Sequence, residues 1–395
     1  MIYRKGGPKV KLSDQSMSQA LRGTKVIDLS RLLPGPYCSS ILANYGADVI
    51  CIEDRRYESG PHVDMLYWNK RHMILNLKKD EGKKIFSILA KKADVVIEQF
   101  RPGVAKSLGV DYESLRKMNS RLIYCSIKGY GENGPYRNMV GHDVNYLGFS
   151  GVLSLIGDKD GIPRIPGIQI ADIAAGGMNA AIGILIALNE RERSGQGQAI
   201  DISMADGMVG MLTLPLYFFF KTTEMPERSN TFLSHRYACY NVYETSDKKY
   251  ITLGAVETGF WKTLCNHLGV PEYCDHQYAD DWREGIITFM QRTFKRKTRD
   301  EWMLELGELD VCFAPVLTID EVVEDKHFLE RKMIMKVKDK SNKEIPVIGM
   351  PIKLSRTPGS YRSAPDDFGE STKGILEEIG YSENEISDLV QKGVI

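Results

Sequence analysis

The sequence predicts an α/β fold, in which an open parallel sheet with crossover helices forms a large domain and a smaller α+β domain is inserted late in the chain. Three observations predict it. Short apolar runs alternate with helical patterns from Thr24 onward, a polar, turn-rich stretch interrupts the chain at Lys221 to Leu233, and an amphipathic tail follows the second group of elements.

Lys25 to Leu29 is a buried-strand run, Pro36 to Tyr45 reads as helix and Asp48 to Glu53 as strand, which together make a βαβ unit. Asp80 to Lys92 has helical periodicity through Ile85, Ile88 and Leu89 and leads into strands at Asp94 to Glu98 and Leu122 to Ile127. Ile173 to Arg191 is a strong helix pattern, stopped at Ser194-Gly195-Gln196-Gly197 and followed by a strand at Ala199 to Ser203. An apolar helix at Met208 to Phe220 closes this region. Beyond the turn-rich stretch, Tyr240 to Thr245 and Tyr250 to Ala255 read as strands, and Gly259 to His267 and Glu284 to Leu306 as helices. A charged helix, Ile319 to Lys332, leads out, and the tail from Lys373 carries an apolar stripe that would pack on the first domain. The expected division is an extension at 1–20, a large domain at 21–224 completed by 331–395, and a small domain at 225–330.

Composition narrows the function. The 395 residues balance 52 Lys+Arg against 52 Asp+Glu, so no positive field draws the chain to nucleic acid or an anionic membrane. At 43% hydrophobic residues, there is enough apolar material for two or three packed cores. The apolar stretches at Met208 to Phe220 and Ala174 to Leu188 are short of the roughly 20 residues a spanning helix needs, and no membrane segment is expected. Seven scattered cysteines without a CxxC pair argue against a disulfide framework and a zinc site, and fit a reducing cytoplasm. Residues 1–16 lack the apolar core of a leader. The first turn, Leu32-Leu33-Pro34-Gly35-Pro36, lacks GxGxxG, so a dinucleotide is not expected.

Three acid/base candidates stand out: His142 within Gly-His-Asp-Val-Asn-Tyr, Asp172 ahead of Ile-Ala-Ala-Gly-Gly, and Glu257 within Gly-Ala-Val-Glu. Each has a structural alternative. Asp172 suits a helix N-cap, Glu257 a first-turn carboxylate and His142 a core histidine. The chemical reading rests on the small residues after Asp172, which would leave a helix N-terminus open to stabilise negative charge on a carbonyl oxygen. A histidine and a carboxylate on opposite sides of one carbon would form a two-base pair.

The segments Leu21-Arg-Gly-Thr-Lys-Val-Ile-Asp-Leu-Ser30, Pro34-Gly-Pro36, Ala43-Asn-Tyr-Gly-Ala-Asp-Val49, Leu75-Asn-Leu-Lys78, Arg101-Pro-Gly-Val104, Gly129-Tyr-Gly131 and Gly195-Gln-Gly-Gln198 together resemble the family III CoA-transferase superfamily over nearly the whole chain. Gly141-His142-Asp143 places the resemblance within its alpha-methylacyl-CoA racemase branch. That resemblance implies a Rossmann-like large domain, an interlocked homodimer and an acyl-CoA epimerase. In it His142 and Asp172 exchange the α-proton of a 2-methylacyl-CoA through an enolate held by the Asp172 N–H, and Glu257 orients His142. The alternative is a CoA-transferase in which Asp172 attacks a thioester and carries the acyl group as an anhydride. For CoA the resemblance implies Arg55, the Leu75, Asn76, Leu77, Lys78 strand, Arg101, and the loop of Gly141, Asp143, Val144, Asn145 and Tyr146. No metal or further cofactor is implied, coenzyme A entering as part of the substrate.

Overall fold

The structure is a computed structural model and describes residues 19–60 and 63–395, so the expected extension lies almost wholly outside the described residues. The chain forms two compact units, one of residues up to 150 with 167–211 and 325–395, the other of 151–166 and 212–324. These bounds differ from the expected 225 and 330, and the stretch 151–166 joins the second unit.

The first unit opens with β1 (Lys25–Asp28), α1 (Pro34–Asn44), β2 (Asp48–Glu53), β3 (Lys70–Ile74), α2 (Asp80–Ala90), β4 (Val95–Glu98), α3 (Val104–Leu108), α4 (Tyr112–Leu115), β5 (Ile123–Lys128) and α5 (Asp143–Phe149). A π-helical stretch, Ala171–Met178, runs into α6 (Asn179–Ser194), followed by β6 (Ala199–Ser203) and α7 (Met204–Met211). The six strands pair in parallel in the order β3-β2-β1-β4-β5-β6, the doubly wound arrangement with its crevice at the strands' carboxyl ends. Neighbouring residues on a strand serve opposite faces. Val26, Val49 and Val95 pack with Leu42 of α1 and Ile184 of α6, while Ile27, Ile50 and Val96 pack with Phe86 of α2 and the tail residues Leu376 and Leu389. Burial on both faces is why these strands read as continuous apolar runs.

The strand expected at Leu75 to Lys78 stands earlier, as β3, and residues 75–78 form the turn after it. Helix Ala171–Ser194 is also longer than expected, and by length and composition alone it reaches the size of a membrane span. Its buried face packs on the sheet through Ala180, Ala181, Ile184 and Ala187, the position of a core helix. Its other side exposes Met178, Ile182, Leu185 and Ile186, one apolar stripe at helical spacing.

The second unit comprises α8 (Thr213–Thr222), β7 (Tyr240–Glu244), β8 (Tyr250–Gly254), α9 (Thr258–His267), α10 (Arg283–Phe294), α11 (Arg299–Leu306), β9 (Phe313–Pro315) and α12 (Ile319–Glu324). Its antiparallel sheet, β7-β8-β9, packs Tyr243, Ile251 and Leu253 against Trp261, Phe294 and Trp302. The single helix expected over Glu284 to Leu306 is two, because Thr298 and Glu301 form a capping box that starts α11. Asp325, whose side chain accepts from the His327 and Phe328 N–H groups, caps a new helix and splits the expected Ile319 to Lys332.

The chain then returns to the first unit as α13 (Lys326–Glu330), a hairpin of β10 (Ile334–Lys338) and β11 (Glu344–Ile348), α14 (Thr372–Glu378) and α15 (Glu383–Gln391). The returning segment covers the edge strand: His72 N–H donates to Asp366 Oδ2 at 3.1 Å, Ile74 N–H to Thr372 Oγ1 at 3.0 Å, and Ser371 N–H to His72 O at 3.0 Å. An edge closed in this way cannot pair with another sheet.

Candidate active site

A cleft of about 1730 Å³ opens at the carboxyl ends of the strands of the first unit. Leu75, Leu77, Lys78, Arg101, Gly141, His142, Asn145 and Tyr146 line it, as the resemblance implies. Arg55 does not line the cleft: it is exposed beside Glu58, and its neighbour Arg56, stacked over Tyr57 and paired with Asp54, stands in the wall instead. Asn76 also turns away. Its N–H donates to Val394 O at 2.8 Å and its side chain reaches Gly393 O, so it anchors the returning tail while Leu75 and Leu77 on either side face the cleft. Asp143 and Val144 are likewise outside the cleft lining, and Asp143 is buried.

His142 is the N-cap of α5, in extended conformation, and the bond from its N–H to Asn145 Oδ1 (3.0 Å) fixes the turn. Its side chain is exposed toward the cleft. Tyr146, one turn on, donates its hydroxyl to Gly141 O at 2.6 Å and lays its ring across Gly129, where a Cβ would come within 2.5 Å of it. Only glycine at 129 admits that ring.

Asp172 does not cap its helix. The helix begins before it, and Asp172 lies in the first turn of the π-helical stretch, where a widened turn changes where a side chain points. Its N–H donates to Asp143 Oδ1 at 3.0 Å, so the donor expected to hold an enolate oxygen is already engaged. The glycines that follow do not open the helix end to a ligand either. A Cβ on Gly176 would meet Pro34 at 2.8 Å, and one on Gly177 would meet Tyr37 at 2.8 Å, so they are small because α1 packs against them. Burial and the neighbouring Asp143 raise the Asp172 carboxyl to about 6, against a smaller downward pull from His142. A carboxyl with that value exchanges protons readily near neutral pH. The same two aspartates, after burial, help push the Tyr146 hydroxyl up to about 12.

Glu257 belongs to the second unit, where it is the exposed N-cap of α9. Gln277 braces the strand end before it through Ala255 O (3.0 Å) and Val256 O (2.7 Å). Among the described residues no cluster of three potential metal ligands occurs.

Sequence reasoning missed Gln99, Phe100, Lys128 and Arg137, all in the cleft wall. The first three follow or end β4 and β5, and their place at strand carboxyl ends was the available signal. Lys128 is buried against Glu98, with Nζ–O distances of 2.7 and 2.9 Å. Together they hold the peptide of Phe100, whose N–H donates to Glu98 Oε2 at 2.7 Å and whose carbonyl accepts from Lys128.

The chain is similar to alpha-methylacyl-CoA racemase of Homo sapiens, 36% identical over 95% of this chain and 97% of that one. It is also similar to succinyl-CoA–D-citramalate CoA-transferase of Chloroflexus aurantiacus, 29% identical over 97% of this chain and all of that one. A CAIB/BAIF family protein from Brucella suis superposes with a TM-score of 0.79, at 29% identity, over 91% of this chain and 99% of the other. CoA-transferase family III matches residues 21–372. With that match, the doubly wound sheet and the cleft at its carboxyl edge, the chain belongs to CoA-transferase family III.

Proposed function

We propose that this protein interconverts the (R) and (S) epimers of a 2-methylacyl-CoA thioester. What supports the reading is a cleft-facing His142 whose charge acts on Asp172, a residue outside the cleft lining whose carboxyl is raised to about 6. The Asp172 carboxyl then holds or releases a proton near neutral pH, as one partner of a two-base exchange must. In one direction the His142 imidazole takes the α-proton, the electron pair enters the thioester carbonyl as an enolate, and the Asp172 carboxyl returns a proton to the opposite face. In the other direction the roles exchange. The thioester supplies the acidity of the α-carbon.

The test is incubation with one epimer in D2O without an acceptor acid. Deuterium gain with loss of configuration is the expected result. A transferase is the second reading, supported by relatives named for CoA transfer between acids. It predicts no exchange, acyl transfer only when a carboxylate is added, and hydroxylamine trapping at Asp172. Glu257→Gln tests the orienting role that the resemblance gives to that carboxylate. A fall in kcat with little change in KM is expected, and an unchanged kcat removes Glu257 from the mechanism.

A homodimer is part of the same proposal. The stripe of Met178, Ile182, Leu185 and Ile186 is an exposed apolar surface of the kind that monomers rarely leave uncovered. Ile186→Glu is expected to shift sedimentation from dimer toward monomer, and a wild-type chain that sediments as a monomer would remove the proposal.

A further inference from the structure

Asp143 sits directly after His142, at the first position of α5, buried and outside the cleft lining. Its Oδ1 accepts the N–H of Asp172, 29 residues away. One dipeptide therefore supplies a catalytic base and grips the backbone of the other. We propose that Asp143 is a positioning residue whose carboxyl, by accepting the Asp172 N–H, locks the π-helical turn that presents the Asp172 side chain, and that an acid rather than an amide is needed at this position. The proposal rests on the acid/base reading of Asp172.

The surroundings leave this task to Asp143. The elements packed on the π-helical stretch are α1, α5, α6, α7 and β6. Their ionisable groups are Tyr37 and Cys38 on α1, Asp143 and Tyr146 on α5 with His142 at its cap, Asp206 on α7, Asp201 in β6, and Glu190 to Arg193 at the far end of α6. Of these, Asp143 and His142 are the groups whose charge acts on Asp172, and Asp143 is the one that raises it. A neutral acceptor such as asparagine satisfies the Asp172 N–H equally well, so geometry alone does not require an acid here. An acid does more: a carboxyl at 143 beside the part-buried Asp172 raises the Asp172 carboxyl, as like groups sharing one site do. His142 next door has the opposite effect, and the dipeptide thereby sets both members of the pair against each other.

Two variants separate the roles. Asp143→Asn keeps the acceptor and removes the charge, while Asp143→Ala removes both. The first readout is a 13C titration of the Asp172 carboxyl in the full-length protein, assigned by its absence in Asp172→Asn. The second is the pH profile of α-hydrogen exchange. In Asp143→Asn the Asp172 midpoint is expected to fall by about one pH unit, and the matching limb of the profile to move with it. In Asp143→Ala kcat is expected to drop a further 10- to 100-fold, roughly what a small misplacement of a reacting group costs, with KM for the acyl-CoA little changed. A midpoint unmoved in both variants, or a kcat for Asp143→Ala equal to that of Asp143→Asn, overturns the proposal. If the wild-type protein shows no exchange, the racemase reading fails, and the carboxyl titration still decides the role of Asp143.

Discussion

Asp172→Asn is expected to lower α-hydrogen exchange by about 10³-fold or more, the scale of a positioned acid/base group, and at the same time to raise the melting temperature above pH 6. The second effect follows from the first group's environment. Burial and Asp143 raise the folded-state pKa of Asp172 from 3.8 to about 6. Between those values the folded state holds a proton that the unfolded chain releases, so the wild-type protein loses stability as pH rises through this window. Above it the folded protein carries an ionised carboxylate in a part-buried site, and asparagine does not. Below pH 3.8 both states of the wild type are protonated and the two proteins should melt alike. Melting curves at pH 3.5, 5 and 8 check this. A variant that loses activity and also melts lower at pH 8 would show that Asp172 supports the fold, contrary to an acid/base role.

Lys128→Met should produce the largest loss of stability among single cleft substitutions, about 3–5 kcal/mol, because it leaves the buried Glu98 carboxyl without its cation. The side chains of Glu98 and Lys128 are 1% and 6% exposed, so water does not replace the missing partner. Urea unfolding monitored by circular dichroism reads the change. Glu98→Gln combined with Lys128→Met should recover much of it, since removing both charges costs less than orphaning one. A second consequence concerns binding. The pair grips the Phe100 peptide from both sides, and Arg101 follows it into the cleft wall, so the single variant should also weaken binding of the proposed acyl-CoA. A Lys128→Met protein with unchanged unfolding midpoint would mean that the Ser126 hydroxyl, which donates to Glu98, suffices to hold that carboxyl.

Much of the sheet was legible because parallel strands buried on both faces leave short apolar runs between helical patterns. The hairpin of β10 and β11 was not: Lys336 and Lys338 break the apolar pattern of one strand and Pro346 stands in the other. The place of His142 beside the cleft was legible from its flanks, yet the run Ala174 to Gly177 was misread. Small residues that admit a ligand and small residues that admit a neighbouring helix are identical in sequence, and only Pro34 and Tyr37 against Gly176 and Gly177 decide between them. Asn76 was misassigned for a related reason. Residues 75–78 form a turn after β3, and a motif four residues long does not say which of its side chains face the cleft and which face the returning tail. Arg55 and Arg56 differ by one position, and the short 3₁₀ turn at Arg55–Tyr57 turns the second of them into the cleft wall.

The bonds from Asn76 to Gly393 and Val394 bear on the order in which the protein can be completed. Asn76 waits for a partner 317 residues away, and β3 waits for Asp366, Ser371 and Thr372. During synthesis at about 5–20 residues per second, β1, β2, β4 and β5 leave the ribosome well before their outer strand has its covering, and the second unit emerges whole in between. The nascent cleft thus passes many seconds with one wall unfastened, a period in which β3 is a bare edge and a target for chaperones or for its neighbours on the same messenger RNA.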